Sequence, residues 1–546
     1  MRALAAGDAA VLLDLSDSGD RDSAARTAAQ LAAAISAAKL PGVLDVIPGA
    51  CTVLVTTEPG SWDTRDLAAR LLDIVAADRS GDPLPSAQAA AEIDVCYDGP
   101  DLDEVAALTG LPVSEVITRH QDAEYRVGWL GFAPGFGYLT GLDPALGRVP
   151  RLDTPRVAVP AGSVAIAGGL AAVYPAKSPG GWRLLGRTNA KMWDQERAQP
   201  ALLAPGMRVR FRAVDELPVV ASEGLSAAAT SPGRRAEVRP PDTAFTRAAE
   251  VLQPGPLTTV QDLGRPGLGH LGVPASGAAD AASLRLANTL VGNAAGAAGL
   301  EVTFGRLTLR FDAAAVVAVT GAPVPLRLTR PGGARQELSP GAAFLVSAGS
   351  VLRLGSPPKG LRSYVGVDGG FEAAPVLGSR STDLLSRLGP EPLRIGDILA
   401  LGARPAATTP TVTEDGDTLA VADVQAAFDR DIELTAIAGP RQDWFTADAL
   451  EAFATRSYVV AAASNRSGLR LSGPLLERRE VAELPSEGTA TGSLQVAHDG
   501  QPILLLADHP TTGGYPVIAV VQSADIGRAA QLRPGQQVRF GLIFPD

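Results

Sequence analysis

The sequence predicts a mainly β protein with a small α+β domain at its N-terminus, and three observations carry that reading. Apolar runs of strand and helix length alternate over the first 85 residues. Beyond them, short β-like runs are broken by many of the chain's 59 Gly and 43 Pro residues, the punctuation of barrels and sandwiches. Finally, four short pieces occur in one order in two distant parts of the chain, which points to a duplicated barrel.

Residues 1–85 read as strand, helix, strand, helix through AAVLLDL, DSAARTAAQLAAAISAAKL, CTVLVTT and TRDLAARLLDIVAA. A β-rich domain follows at 86–215. The Ser-, Ala- and Pro-rich stretch Glu216–Pro241 has little periodicity and predicts a linker, set at 216–247. A second β-rich unit, with one helical insert at Ala279–Val291, spans 248–415, a Thr/Ala-rich junction lies at Ala406–Gly416, and a final barrel spans 416–546. The echo pairs APGFGYLTGL, AGSVAIAGG, SPGGW and APGMRVRF of the second domain with GPRQDWFTADAL, TGSLQVAHDG, TTGGY and RPGQQVRF of the last.

At 546 residues there is chain for three or four domains and a cleft between them. A net charge of −11 with no Lys/Arg run argues against nucleic acid. Two cysteines are too few for a disulfide framework, and no signal-peptide pattern or run of about 18 apolar residues is evident. The expectation is a cytoplasmic protein without membrane attachment.

Strong catalytic motifs are absent: no phosphate loop, no H-E-x-x-H, no CxxC pair, no G-x-S-x-G. The GxGxxG spacing at Gly267–Gly272 lacks a strand–turn–helix context and reads as coincidence. The four histidines are dispersed; His120 is the candidate acid or base, its ordinary pKa of about 6.5 suiting proton transfer. In SPGGW, Ser178, Gly180, Gly181 and Trp182 could bring backbone N–H groups and a flat wall to an anion, although composition alone favours a tight barrel turn. TTGGY repeats the pattern with Thr512, Gly513 and Gly514, Asp508 lying just upstream. In SNRSGLRLSGP, Arg466 and Arg470 are four apart; on one strand they would share a face and clamp a carboxylate or phosphate, with solvated arginines as the alternative. PSEGTATGSLQV adds Ser486, Glu487, a base or magnesium ligand if it faces the cleft, and Gln495.

The block YRVGWLGFAPGFGYLTGLDPALGRVPRLDTPRVAVPAGSVAIAGG with YPAKSPGGWRLLGRT resembles the B subunit of bacterial 5-oxoprolinase, the kinase-inhibitor-type or allophanate-hydrolase-subunit-1 family, over residues 1–215. GPLTTVQDLGRPGLGHLGVPASGAADAASLRLANTLVGN, with Glu301, SNRSGLRLSGP and ADHPTTGGYP, resembles the C subunit, or allophanate-hydrolase-subunit-2 family, over 250–546. Both are similar to the carboxyltransferase region of urea carboxylase. The resemblance implies duplicated cyclophilin-like barrels behind a ferredoxin-like N-terminal domain. It also implies ATP-dependent opening of 5-oxoproline to glutamate together with a separate A subunit, with Mg²⁺ accompanying the nucleotide and no covalent biotin. Anion clamping is then expected of Arg187, Arg466 and Arg470, and acid, base or magnesium duties of His120, Glu487 and Asp508. Ser163, Tyr174 and Gln495 complete the expected small-molecule site; homo-oligomerisation is left open. Two rival readings are a carboxyltransferase component of a biotin-dependent carboxylase and a non-enzymatic regulator of a sensor histidine kinase.

Overall fold

The computed structural model describes residues 1–16, 21–77, 89–217, 247–404, 431–480 and 482–545; almost all of the expected linker and the whole Ala406–Gly416 junction lie outside them. The chain is mostly β. Its N-terminal sheet runs in the order Arg2–Ala5, Ala10–Asp14, Thr52–Thr57, Val43–Pro48, all antiparallel. Two of these strands, Arg2–Ala5 and Val43–Pro48, are not among the elements expected from the sequence: both are edge strands and incompletely buried, so their apolar pattern is weak. The resulting strand–strand–helix order, repeated twice, departs from the β-α-β-β-α-β order of a ferredoxin-like domain.

Every residue of Ala10–Asp14 is buried because the sheet is covered on both faces. Val11, Leu13, Val53 and Val55 point to the helices Arg21–Ala37 and Thr64–Ala77 through Ala28, Leu31, Ile35, Leu67 and Leu71. Ala10, Leu12, Ile47 and Leu54 point the other way, into a cluster with Ala490 from the last barrel. The first and last units of the chain therefore pack face to face.

The first barrel is a seven-stranded sheet whose order is Arg183–Arg187, Ser163–Ala167, Leu170–Val173, Gly137–Thr140, Tyr125–Leu130, Arg208–Ala213, Ala90–Val95. A bridge between Cys96 and Arg187 nearly closes it. The last barrel is closed, in the order Asp431–Ala438, Val517–Val521, Ser493–Val496, Pro502–Leu505, Gly468–Ser472, Tyr458–Val460, Gln537–Ile543. Laid side by side, the two have the same cyclic strand order, and in each the first strand pairs in parallel with the last. Three echo pieces occupy equivalent places: AGSVAIAGG and TGSLQVAHDG form matching strands, APGMRVRF and RPGQQVRF form the closing strands, and SPGGW and TTGGY each form half of a small outlying ribbon. The fourth does not. GPRQDWFTADAL is a 3-10 turn and the helix Ala447–Thr455, whereas APGFGYLTGL holds the strand Gly137–Thr140, whose counterpart is Gly468–Ser472.

Between the barrels, two sheets of six and five strands sandwich a core of Val, Leu, Ala and Phe. The expected insert is the helix Ala281–Leu290, started by Asp280, whose carboxylate accepts the Ser283 N–H. No helix among the described residues is long and apolar enough to cross a membrane.

A buried charge network joins the first and last units. Arg441 donates from Nη1 to Asp14 at 2.7 Å and from Nε and Nη2 to Glu487 at 3.0 and 2.7 Å, with all three side chains almost fully buried. Removing one member of such a set leaves buried charge uncompensated, at a cost of about 3–5 kcal/mol. We expect Arg441→Met to lower the urea midpoint of the transition involving the N-terminal sheet, with Arg470→Ala, on an exposed strand position, changing stability by less than about 0.5 kcal/mol. Equal midpoints for the two variants would contradict this account.

Candidate functional site

At the seam between the barrels lies a two-stranded ribbon, Glu487–Gly488 paired with Thr512–Gly513. It docks on the loop 131–136 of the first barrel. Phe132 takes a left-handed backbone, φ 65°, and its N–H donates to Thr512 Oγ1 at 2.9 Å. Gly131 is required there, since a Cβ would lie 2.3 Å from the same Thr512 oxygen. A non-glycine left-handed residue is the kind of strain that tertiary contacts must hold in place.

Alternation along the ribbon separates its side chains. Glu487 turns to Arg441 and Asp14, and burial pushes its carboxyl up to about 6 despite Arg441, which it shares with Asp14. Its Oε1 has no hydrogen-bonding partner among the described residues. Asp14 is held well below the usual carboxylate range, its burial outweighed by Arg441 and by the Ser16 N–H. Ser486, one residue before, faces instead into a cavity of about 130 Å³.

That cavity lies where the two barrels and the N-terminal domain meet. Trp129, Arg151 and the Gly168–Gly169 turn border it from the first barrel, Glu483 and Ser486 from the last. Arg151 Nε is 2.8 Å from Glu483 Oε1, a pair spanning the two barrels. Trp129 stacks on Tyr138, ring centres 4.5 Å apart, and its buried indole N–H has no acceptor among the described residues. Burial raises the Tyr138 hydroxyl, while the hydroxyls of Ser486 and Thr512 pull the other way. Two larger grooves, of about 550 and 470 Å³, lie along the N-terminal domain and are lined more by Ala, Leu, Ile, Val and Pro than by polar groups. The smaller cavity alone among the three joins both barrels, and it offers a donor, an acceptor, a hydroxyl and a flat apolar wall.

The sequence-predicted residues divide into three groups. Thr512, Gly513 and Gly514 lie at this seam; a Cβ on Gly514 would stand 3.6 Å from Arg151 Nη1, and one on Gly513 would strike Gln495 Nε2, which itself donates to the Tyr515 carbonyl. Tyr174 and Trp182 pack edge-on around Phe136 behind the cavity wall, and Gly180 is glycine because a Cβ would lie 2.3 Å from the Tyr174 hydroxyl. Burial takes that phenol up to about 12. Ser163 donates to the Pro160 carbonyl; Ser178, in the first ribbon, has a buried hydroxyl with no partner; the Gly181 carbonyl accepts the Leu152 N–H.

The remaining residues stand apart. His120 is fully buried between Phe211 and Tyr125, its Nδ1 2.7 Å from the Tyr97 hydroxyl, and burial lowers its pKa to about 3, so it is a neutral core group. Arg187 is largely exposed and pairs with Asp98. The expected arginine clamp is not formed: Arg466 precedes the strand Gly468–Ser472 and is buried, whereas Arg470, within it, points to solvent. Arg466 binds Asp508 through Nε and Nη2, at 2.9 and 3.0 Å, and Glu301 through Nη1. Asp508 is further held by the Ser276 hydroxyl at 2.7 Å. This ion cluster ties the last barrel to the middle sandwich, leaving neither charge available to a ligand.

Arg151, Glu483 and Trp129 are not recognisable as site residues from the sequence. In GRVPRLDTP and VAELPSEG the two charges are single residues between turn-formers, and no spacing distinguishes them from solvated side chains.

Because Glu487 binds its proton more tightly folded than unfolded, it makes stability fall as pH rises from its ordinary value of 4.5 towards about 6. Glu487→Gln should remove that component from the pH dependence of the urea midpoint; a midpoint profile unchanged across this window would refute the assignment.

Two family models match, both described as parts of a carboxyltransferase domain: subdomains C and D over residues 1–203, and subdomains A and B over residues 271–542. The chain is 37% identical over 294 residues to the C subunit of 5-oxoprolinase from Escherichia coli strain K12, covering 53% of this chain and 90% of that protein. It is 40% identical over 175 residues to the B subunit of 5-oxoprolinase from Escherichia coli O157:H7, covering 32% of this chain and 78% of that one. A crystal structure of a protein named TTHA0988 superposes with a TM-score of 0.82 at 36% identity, covering 97% of this chain and 99% of the other. One polypeptide thus carries both matches, and the chain belongs to the carboxyltransferase-domain family as a fusion of the B and C types of 5-oxoprolinase subunit.

Proposed function

We propose that this chain is the fused B and C component of an ATP-dependent 5-oxoprolinase, which opens the cyclic amide of 5-oxoproline to glutamate together with a separate A-type subunit in the cytoplasm. The single observation that carries the reading is the cavity of about 130 Å³ between the two barrels, with Arg151, Glu483, Ser486 and Trp129 on its walls. Its volume equals about four waters' share of the liquid, which suits a five-membered ring with a few polar atoms. Nucleotide-sized ligands occupy larger pockets, of about 300 Å³ upward, so these walls do not fit ATP and its magnesium beside the lactam. The two larger grooves share no lining residue with this cavity, so a nucleotide held beside the lactam is assigned to the A-type partner.

An unactivated lactam resists water because the amide nitrogen donates its lone pair into the carbonyl. Phosphorylation of the amide oxygen removes that resistance; one water then adds to the carbon, the C–N bond breaks as the nitrogen takes a proton, and a second water hydrolyses the resulting acyl phosphate to carboxylate and phosphate. In this scheme the chain's residues bind and orient. Trp129 offers a face to the ring, Arg151 donates to oxygen, and the tight seam of Phe132 with Thr512 keeps bulk water from the back of the site.

The carboxyltransferase description of both matching models favours one alternative, a component that takes a carboxyl group from biotin carried by another protein. The two readings separate in one assay. Mixed with its A-type partner, ATP, magnesium and 5-oxoproline, the chain should yield glutamate and ADP in equal amounts, and neither protein alone should do so. Product no higher than in the single-protein controls would sink the proposal, and transfer of label from carboxybiotin to an amide acceptor would establish the alternative.

A further inference from the structure

We infer that Arg151 and Glu483 together read the edge of a cis amide, so that the cavity selects a cyclic amide over a linear secondary one. The inference rests on the cavity being the substrate site and specifies how that site would choose its ligand.

The two side chains arrive from different barrels and meet at 2.8 Å, yet they are 40% and 50% exposed. A pair so hydrated is worth about 0–1 kcal/mol, so parting it costs little. A guanidinium only donates and a carboxylate only accepts. Side by side, they are complementary to a group that shows a C=O and an N–H on one edge. A lactam ring holds its amide cis and presents that edge; a linear secondary amide is trans and turns the two groups to opposite sides. A cyclic amide entering between them gives its oxygen to Arg151 and its N–H to Glu483, exchanging one exposed ion pair for two charge-assisted hydrogen bonds.

Three further observations support this arrangement. Gly168 and Gly169 turn with φ of 55° and 85°, and a Cβ on Gly168 would approach only Glu483 Oε2, at 4.0 Å, so the space beside that carboxylate is open. Trp129 adds an apolar face to the cavity wall. Asp22 also borders the cavity, so Arg151 faces two carboxylates. The walls hold no excess positive charge, and discrimination falls to the neutral amide edge.

The test uses the full chain and three probes, followed by ligand-observed saturation-transfer NMR and titration calorimetry. 2-Pyrrolidinone should bind; N-methyl-2-pyrrolidinone, lacking the N–H, and the trans amide N-methylacetamide should bind at least tenfold more weakly. Arg151→Met and Glu483→Leu should each weaken 2-pyrrolidinone at least tenfold without lowering the melting temperature, since both residues are half-exposed, whereas Glu483→Gln, which keeps an acceptor, should retain part of the affinity. Absence of 2-pyrrolidinone binding by the parent chain, equal binding of the three probes, or indifference to both substitutions would overturn the inference. Failure of the proposed function looks different: selective binding of 2-pyrrolidinone with no turnover of 5-oxoproline beside the A-type partner. Undiminished turnover by Arg151→Met would leave the function standing and remove the role given to Arg151.

Discussion

Much of this structure depends on one cation shared by two carboxylates. Arg441 is buried between Asp14, on the second strand of the chain, and Glu487, at the start of the last barrel's ribbon. In a setting with so little water, the charged form of Glu487 relies on that guanidinium, that of Asp14 relies on it together with Arg2 and the Ser16 N–H, and the guanidinium is not stable without at least one of the two carboxylates. The N-terminal sheet is therefore held against the last barrel in one registration. That registration sets the position of the ribbon, and the ribbon carries Ser486 to the cavity and Thr512 to the Phe132 N–H.

The duplicated barrels share strand order and closure but not the use of their ribbons. In the first barrel, SPGGW closes around the Tyr174 hydroxyl and becomes part of an aromatic packing cluster. In the last, TTGGY is pressed across the seam onto the other barrel. The same local chemistry, glycines that admit close approach, serves interior packing in one copy and docking between units in the other. A second charge cluster, Arg466 with Asp508 and Glu301, fastens the last barrel to the middle sandwich in the way Arg441 fastens it to the N-terminal domain. The cavity is left with the charges that these two clusters do not consume.

Local signals in the sequence were sufficient for the mainly β class, the helical character of Ala281–Leu290, the doubled barrel and the importance of the Gly-Gly turns, because each depends on backbone periodicity or on which residues tolerate a tight turn. Strands at sheet edges were harder to see, since half-exposed residues weaken alternation. The arginine clamp failed for a related reason: a spacing of four implies a shared face only if both residues lie in one strand, and Arg466 lies outside it.

What the amino-acid order determined by itself was therefore the set of elements and which way most of their apolar residues face. Which charges meet was decided by packing. Asp14 and Arg441 are 427 positions apart, and Arg151 meets Glu483 only because two barrels are brought together. Spacing along a chain constrains neighbours within one helix or strand; it carries no distance between elements, and in a buried seam that distance determines whether a carboxylate is a structural anchor or a group facing a ligand.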